Sequence, residues 1–505
     1  MEELKPRKIL TPRLIVLLSI LTVGIVIALY LWTVYLPEMR ELLNDFYGQS
    51  FEELSLDGDG SAYSPFLIKT AEDLAELAEK VAHGSSYREH YFVLKNDIDL
   101  SEFLSESGAG HNDGAGWLPI GLYNGGHFGG IFDGAGHTIS GLWLNRPDEI
   151  AVGLFGQMRG AEIYRLNIEA VSIIARTNAG VLGGDVRNSR IVNCTATVES
   201  FSSSCNQYAN ALGGLIGDLR SSIIENCSAV LDLEINAEEF TNFGGLIGSA
   251  KQGSSIINSH AVVNAVINGN SGVFAGGLVG FIYGASMVTG CYSEGSISAI
   301  NSLSANIGGL IGEASESGTA IRNSWSSCYV SSAEITGGLI GALSRGAEVS
   351  GSRASGTVII NGDSVRTFAG GGFVGWTDGE IDTSYFDGTV IIQKQEEFWA
   401  GGFIGVQEGG AVTDCYSTAT IFIGVDDPQY HDIGGFAAVQ KEDAVITNSY
   451  FDGLIINLSG RTRDFIMLQD GVVENCYPHD VDNFDGFDFI NVWFMPEGGG
   501  APIFW

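Results

Sequence analysis

The sequence predicts an all-β protein, a three-sided parallel β-solenoid of about 10–11 rungs, with one N-terminal transmembrane helix and a small helix-containing N-terminal cap. Three observations predict it. A glycine block and a Cys/Ser block alternate through most of the chain. The stretches between them are short and β-branched, with no helical period. An uncharged apolar run of 23 residues lies near the N-terminus.

That run, Leu14 to Leu36, is long enough at ~1.5 Å per residue to cross the ~30 Å hydrocarbon layer of a bilayer. It continues through Tyr30, Trp32 and Tyr35 to Pro37 without a small-x-small cleavage site, so it reads as a retained signal anchor. Lys5, Arg7, Lys8 and Arg13 precede it, while Glu38, Glu41 and Asp45 outnumber Arg40 after it. That bias puts residues 1–13 in the cytoplasm and the bulk of the chain outside, beyond a juxtamembrane stalk at 37–55. An N-terminal cap follows at 56–128. Within it Thr70-Ala71-Glu72-Asp73 reads as a helix start, Leu74, Leu77, Ala78 and Val81 form one face, and Gly84 is the stop.

The solenoid spans 129–462. A Gly-Gly-apolar-apolar-Gly block starts at Gly213, Gly244, Gly276, Gly308, Gly337, Gly371 and Gly401, with weaker copies at Val152, Ala179 and Gly434, at spacings of 27 to 34 residues. After each comes a β-branched residue: Ile191, Ile224, Ile256, Val288, Ile321, Val349, Ile381, Val412, Ile446 and Val473. Three positions later stands Cys194, Cys227, Ser259, Cys291, Ser324, Ser352, Ser384, Cys415, Ser449 or Cys476, usually preceded by Asn, Gly or Asp. Units this small bury too little surface to stand alone and must stack. The recurring Gly and Asn are expected at bends, in left-handed conformations. At 463–505 the period fails, and the aromatic-rich tail is expected to cap the column, since open strand edges recruit other chains.

Composition narrows the function. Sixty acidic against 25 basic residues give a net charge of −35, so no nucleic-acid partner is expected, and polyanionic polysaccharides should be repelled. Seventy glycines with ten prolines and no triplet period exclude collagen. Seven cysteines, five of them on the ladder, are not a disulfide scaffold. Parallel in-register neighbours suit a disulfide poorly, so Cys194 and Cys227 are expected as free thiols; Cys205 and Cys328 fall off the ladder.

The GGLIG block followed by I-x-N-C, as from Gly213 to Cys227, resembles the GLUG repeat of bacterial cell-surface proteins, which also precedes the catalytic part of zinc peptidases that cleave immunoglobulin A. The segments Ser64-Pro65-Phe66-Leu67-Ile68, Asn96 to Leu100, Trp117 to Gly121 and Phe132 to Ile139 are similar as well, as is the end from Phe487 to Trp505. The resemblance covers residues 56 to 505 and implies a right-handed coil and a surface location. It implies no activity, because the repeat is scaffold.

The peptidase chemistry is not carried over. There is no HExxH, and the eight histidines include no pair three or four residues apart. No GxSxG elbow or phosphate loop is present. Asp57-Gly58-Asp59-Gly60 resembles the start of an EF-hand loop, but its twelfth position is Ile68, so it reads as a turn. No cofactor, metal or catalytic residue is expected. The residue after each glycine block runs Gln157, Asp218, Ser249, Phe281, Glu313, Ala342, Trp376, Val406, so the acids are not expected to stack on neighbouring rungs. Asp387 and Asp452, in repeated Ser-Tyr-Phe-Asp-Gly segments, would lie two rungs and ~10 Å apart, which gives a carbohydrate-active enzyme as a rival reading.

The residue after the ladder Cys or Ser includes six aromatics: Tyr292, Trp325, Tyr385, Tyr416, Tyr450 and Tyr477. Strand alternation points this position outward, as a strip that could stack on sugar rings or anchor a protein, unless the rings cover one another. The function expected is therefore membrane-anchored surface display: adhesion, or binding of a glycan or protein ligand, without catalysis. A purely structural envelope spacer is the third reading.

Overall fold

The computed structural model describes residues 53–476, apart from breaks at 204–209, 238–239, 270–271, 301–303, 333, 362–367, 394–397, 425–430, 458–460 and 464, together with 493–494 and 503–504. Each coil of the solenoid up to Ser315 carries four strand segments where the sequence predicts three, and from Ala320 onward the segment after the ladder Cys or Ser is divided in two, as Trp325–Ser326 and Tyr329–Ser332. One coil runs Ile223–Glu225, Ser228–Ala237, Thr241–Gly244 and Ile247–Lys251, and the next opens at Ser255–Ile257. Like segments of successive coils pair in parallel and in register: Ile224 with Ile256, Ser228 with His260, Gly244 with Gly276 and Ile247 with Val279. The result is a sheet of 14 strands, two of 11, and a fourth built from the segments that follow the ladder Cys or Ser.

The β-branched ladder lies inside. Ile191, Ile224, Ile256, Val288, Ile321 and their successors through Ile446 are at most 1% exposed, and each such side chain contributes roughly 1.5–3 kcal/mol of burial.

The Cys/Ser position is there for a hydrogen bond as well as for its size. At this corner the backbone N–H turns inward, and the side chain of the next coil accepts it: Cys227 N to Ser259 Oγ at 3.0 Å, Cys291 N to Ser324 Oγ at 3.1 Å, Ser324 N to Ser352 Oγ at 3.2 Å. Where the acceptor is sulfur the bond is longer, as from Cys194 N to Cys227 Sγ at 3.4 Å. Each serine hydroxyl in turn donates to a carbonyl two residues back, as Ser324 Oγ does to Arg322 O at 2.8 Å. A second serine column works alike, with Ser189 N donating to Ser222 Oγ at 3.0 Å and Ser254 N to Ser286 Oγ at 3.1 Å.

The bends differ from expectation in one respect. Asn193, Asn226, Asn258, Asn323 and Asn448 do adopt positive φ, between 48° and 57°. The glycines of the GGLIG blocks do not, and their role is close approach. A Cβ on Gly213 would lie 2.0 Å from Ile216 O, and one on Gly217 would lie 2.6 Å from Ala179 N. Two backbone stretches touch there, and no side chain fits between them. This contact folds one expected side of the coil into two strands.

The α-helix Ala71–Ala82 starts at Thr70, whose hydroxyl accepts from Asp73 N while Asp73 reaches back to the Thr70 N–H, and it buries Ala71, Leu74, Leu77, Ala78 and Val81.

The fold class needs one correction. Among the described residues no helix is long and apolar enough to cross a membrane; the 12-residue helix at Ala71–Ala82 is far too short. Leu14–Leu36, the tail 1–13 and most of the stalk lie outside the described residues, and the described residues form a parallel β-solenoid with a helix-containing cap. Within 463–505, Ile466–Gln469 and Val472–Glu474 pair in parallel with Ala437–Gln440 and Val445–Thr447 of the preceding coil, and Trp493–Phe494 forms an antiparallel pair with Ile503–Phe504.

Candidate functional site

The aromatic strip exists, and its rings face each other. His260, Tyr292, Trp325, Arg353, Tyr385, Tyr416 and Tyr450 are register partners on successive coils. Ring centroids are 4.6 Å apart for His260–Tyr292, 4.5 Å for Tyr292–Trp325, 4.8 Å for Tyr385–Tyr416 and 5.3 Å for Tyr416–Tyr450, with interplanar angles of 8° or less. Arg353 bridges the two halves: its guanidinium lies 5.4 Å over Trp325, and Nη1 donates to Tyr385 Oη at 3.2 Å. Stacked this way the rings offer edges outward and keep their faces for one another, while Tyr416 and Tyr450 are buried. Burial drives both phenols well above the ordinary tyrosine range. Tyr477 lies outside the described residues.

Asp387 and Asp452 are separated by Thr418 on the intervening coil, through the bonds Thr418 N to Phe386 O and Asp452 N to Ser417 O. Asp57 is engaged by Lys69 Nζ at 2.5 Å and Asp59 by the Ser61 hydroxyl and, at 2.9 Å, the Ser61 N–H, which hold the two carboxyls below the usual range. Among the described residues no group of three or more His, Cys, Asp and Glu is placed to hold a metal ion. The six described cysteines are free, five of them buried, Cys328 included; burial pushes Cys291 up to about 12.

The acids, however, do stack. Asp185 pairs in register with Asp218 on the next coil, and both side chains are at most 2% exposed. The glycine block of the earlier coil aligns from Gly180, one place later than the repeat spacing suggests, which hides Asp185 from a reading by block. A signal was present in the recurrence two residues on: Gln157-x-Arg159, Asp185-x-Arg187, Asp218-x-Arg220, Ser249-x-Lys251. These residues form two parallel columns, with Arg159, Arg187, Arg220 and Lys251 aligned rung by rung. Arg187 Nε and Nη2 donate to Asp185 at 2.8 and 2.6 Å, Arg220 Nε donates to Asp218 Oδ2 at 2.9 Å, and Lys251 Nζ reaches back one coil to Asp218 Oδ1 at 2.8 Å.

Above these columns opens a cavity of about 550 Å³, lined by Tyr123, Ile150, Arg176, Thr177, Asn178, Ala211, Asp218, Arg220, Asn242, Ser249 and Lys251. Asn178, Ala211 and Asn242 occupy equivalent places on one sheet, and Asp218 and Ser249 on the sheet that folds against it. Tyr123 comes from a turn of the cap closed by Leu122 N to Gly126 O at 2.8 Å, and it is 41% exposed. Asn242 is 6% exposed, and its Oδ1 is buried without a hydrogen-bond partner among the described residues. Asp218 opens into the cavity and Asp185 does not line it, so the stacked pair does not jointly face a substrate as two hydrolytic carboxylates must.

Residues 400–421, which hold the Gly401-Gly402-Phe403-Ile404-Gly405 block and Val412 to Cys415, match the family model of the GLUG motif. A protein of Evansella cellulosilytica described as a Gly-rich membrane protein is 35% identical over 109 residues, 22% of this chain and 11% of that protein. Halomucin of Haloquadratum walsbyi is 31% identical over 163 residues, 32% of this chain and 2% of halomucin. The chain thus spans only a small part of the length of either relative. A solved structure described as an immunoglobulin A1 protease from Bacteroides ovatus aligns with 90% of this chain and 96% of its own at 14% identity and a TM-score of 0.28. A second IgA1 protease aligns with 78% of this chain and 22% of its own at 14% identity and a TM-score of 0.25.

Proposed function

We propose that this GLUG-motif β-solenoid is a non-catalytic cell-surface protein that binds a sugar-bearing ligand on its flank. The observation that carries the reading is the cavity between Tyr123 and Lys251. Glycan sites combine an open aromatic ring with planar amides that hydrogen-bond sugar hydroxyls, and Tyr123, Asn178 and Asn242 supply that set in one concavity. The size lies within the range of small-molecule sites. A rigid column of in-register strands holds these groups on backbone that cannot easily shift, which keeps the cost of ordering the site low. A surface location is supported by the relative described as a membrane protein.

The aromatic column from Tyr292 to Tyr450 supports a different role. Its faces are already occupied, so we assign it to stiffening the rod, with edges left for a protein partner. The rival hydrolytic reading loses support because Thr418 separates Asp387 from Asp452 and neither lines the cavity. The test is a glycan-array incubation of the full chain beside its Tyr123→Ala and Asn242→Ala variants. Binding lost in both variants, with no shortened glycan released, is the expected result. Binding that survives both substitutions would move the site elsewhere, and released products would make the protein an enzyme.

A further inference from the structure

Cations are scarce in this chain, 25 in 505 residues against 60 acids, yet four of them stand on successive coils at one position. Like charges directly opposite one another in a sheet repel. Two carboxylates, Asp185 and Asp218, lie in the neighbouring column to offset them. Asp218 alone receives both Arg220 and Lys251, so its pairing is already more than complete. Arg159, at the head of the column, keeps a buried Nε without a hydrogen-bond partner among the described residues. Within the cavity wall itself Arg220 and Lys251 share the single carboxylate of Asp218, so this part of the wall carries more positive than negative charge in a molecule whose net charge is −35. A built-in surplus of this kind has a cost unless a ligand supplies the missing negative charge.

A second observation specifies the rest of the ligand. The buried, unpartnered Asn242 Oδ1 seeks a hydrogen-bond donor, which a hydroxyl provides and a bare anion does not. At the rim, the exposed Tyr123 ring offers an apolar face.

We propose that the cavity takes a single carboxylated sugar residue of the uronic-acid class, its acid group at Lys251 and Arg220, a hydroxyl at Asn242 and its ring on Tyr123. This rests on the glycan-binding reading above. The net charge of −35 makes a terminal acid sugar the preferred form over a polyuronate chain, which the bulk charge repels.

The experiment is calorimetric titration of the full chain and its Lys251→Gln and Asn242→Ala variants with methyl glucuronide carboxylate, methyl glucoside and sodium acetate. Glucuronide is expected to bind at least tenfold tighter than glucoside or acetate and to weaken as salt is raised. Lys251→Gln should cost glucuronide about tenfold and leave glucoside unchanged, the loss of one charge-assisted bond. Asn242→Ala should weaken both sugars and spare acetate. Glucoside binding as tightly as glucuronide, or acetate matching it, overturns the inference and leaves the glycan reading standing in the first case. No binding of either sugar overturns both.

Discussion

Replacing Ser324 by alanine tests the corner hydrogen-bond column directly. In the folded chain the Cys291 N–H donates to Ser324 Oγ at 3.1 Å, and Cys291 is wholly buried. Alanine removes that acceptor at a position where Ser324 and Cys291 are both closed off from bulk solvent. The other bond lost, Ser324 Oγ to Arg322 O, matters less because Arg322 O also accepts from Gly290 N at 3.1 Å. An unsatisfied buried N–H costs ~1–3 kcal/mol, so the variant should lose about that much stability. Ser324→Cys keeps an acceptor of the kind Cys227 presents to Cys194 at 3.4 Å and should lose under ~1 kcal/mol. Ser327→Ala, at an exposed neighbour, should stay within about 0.5 kcal/mol. Urea titration followed by circular dichroism measures the three, and hydrogen exchange at the Cys291 amide localises the effect, which matters in a stack where coils can open separately. If Ser324→Ala matches the parent and the Cys291 amide exchanges no faster, the column does not hold the corner together.

Other perturbations follow from the same packing. Gly217→Ala places a Cβ 2.6 Å from Ala179 N and 2.8 Å from Gly184 O, backbone atoms that cannot rotate away, and should cost about 3 kcal/mol or more in a denaturant titration. Trp325→Ala removes a ring stacked on Tyr292 at 4.5 Å and covered by Arg353 at 5.4 Å; a loss of about 1–2.5 kcal/mol beyond buried area is expected, with a collapse of the near-ultraviolet dichroism of the column. Burial holds the Cys291 thiol up at about 12 and Cys415 well above the ordinary range, so neither should alkylate at pH 8 until the chain is unfolded, as mass spectrometry would show. Because those folded values lie above the unfolded one of ~8.5, the neutral thiols favour the native state fully below that pH, and the contribution is lost as pH rises toward about 12.

The column of coils was legible because its period is carried by residues whose demands are local. An Ile or Val at the ladder, a Cys or Ser three places on, and an Asn between them each answer to the geometry of one corner, so spacing alone exposes them. The helix at Ala71–Ala82 was legible for the same reason, from its capping box and apolar face. What spacing could not show was how two backbones meet. The glycines at Gly213 and Gly217 fit a bend or a close contact equally well in sequence, and only the fold shows contact, with a fourth strand per coil as its result. The cavity was missed through a one-residue offset at Gly180, which removed Asp185 from the column it shares with Asp218. Tyr123 joins the site from about a hundred residues upstream, a juxtaposition no repeat pattern encodes. The aromatic position does align coil on coil from Tyr292 to Tyr450, but outward alternation says nothing about whether rings turn their faces to solvent or to one another; at ~4.8 Å between strands, stacking on the neighbour is the nearer option.

The most direct measurement is hydrogen–deuterium exchange of the full chain with and without a saturating glycan ligand. Slowed exchange confined to the turn at 121–126 and the strands through Asn178, Asn242 and Lys251 is the result predicted. Protection centred instead on the coils from Tyr385 to Tyr450, with the cavity segments unchanged, would contradict it.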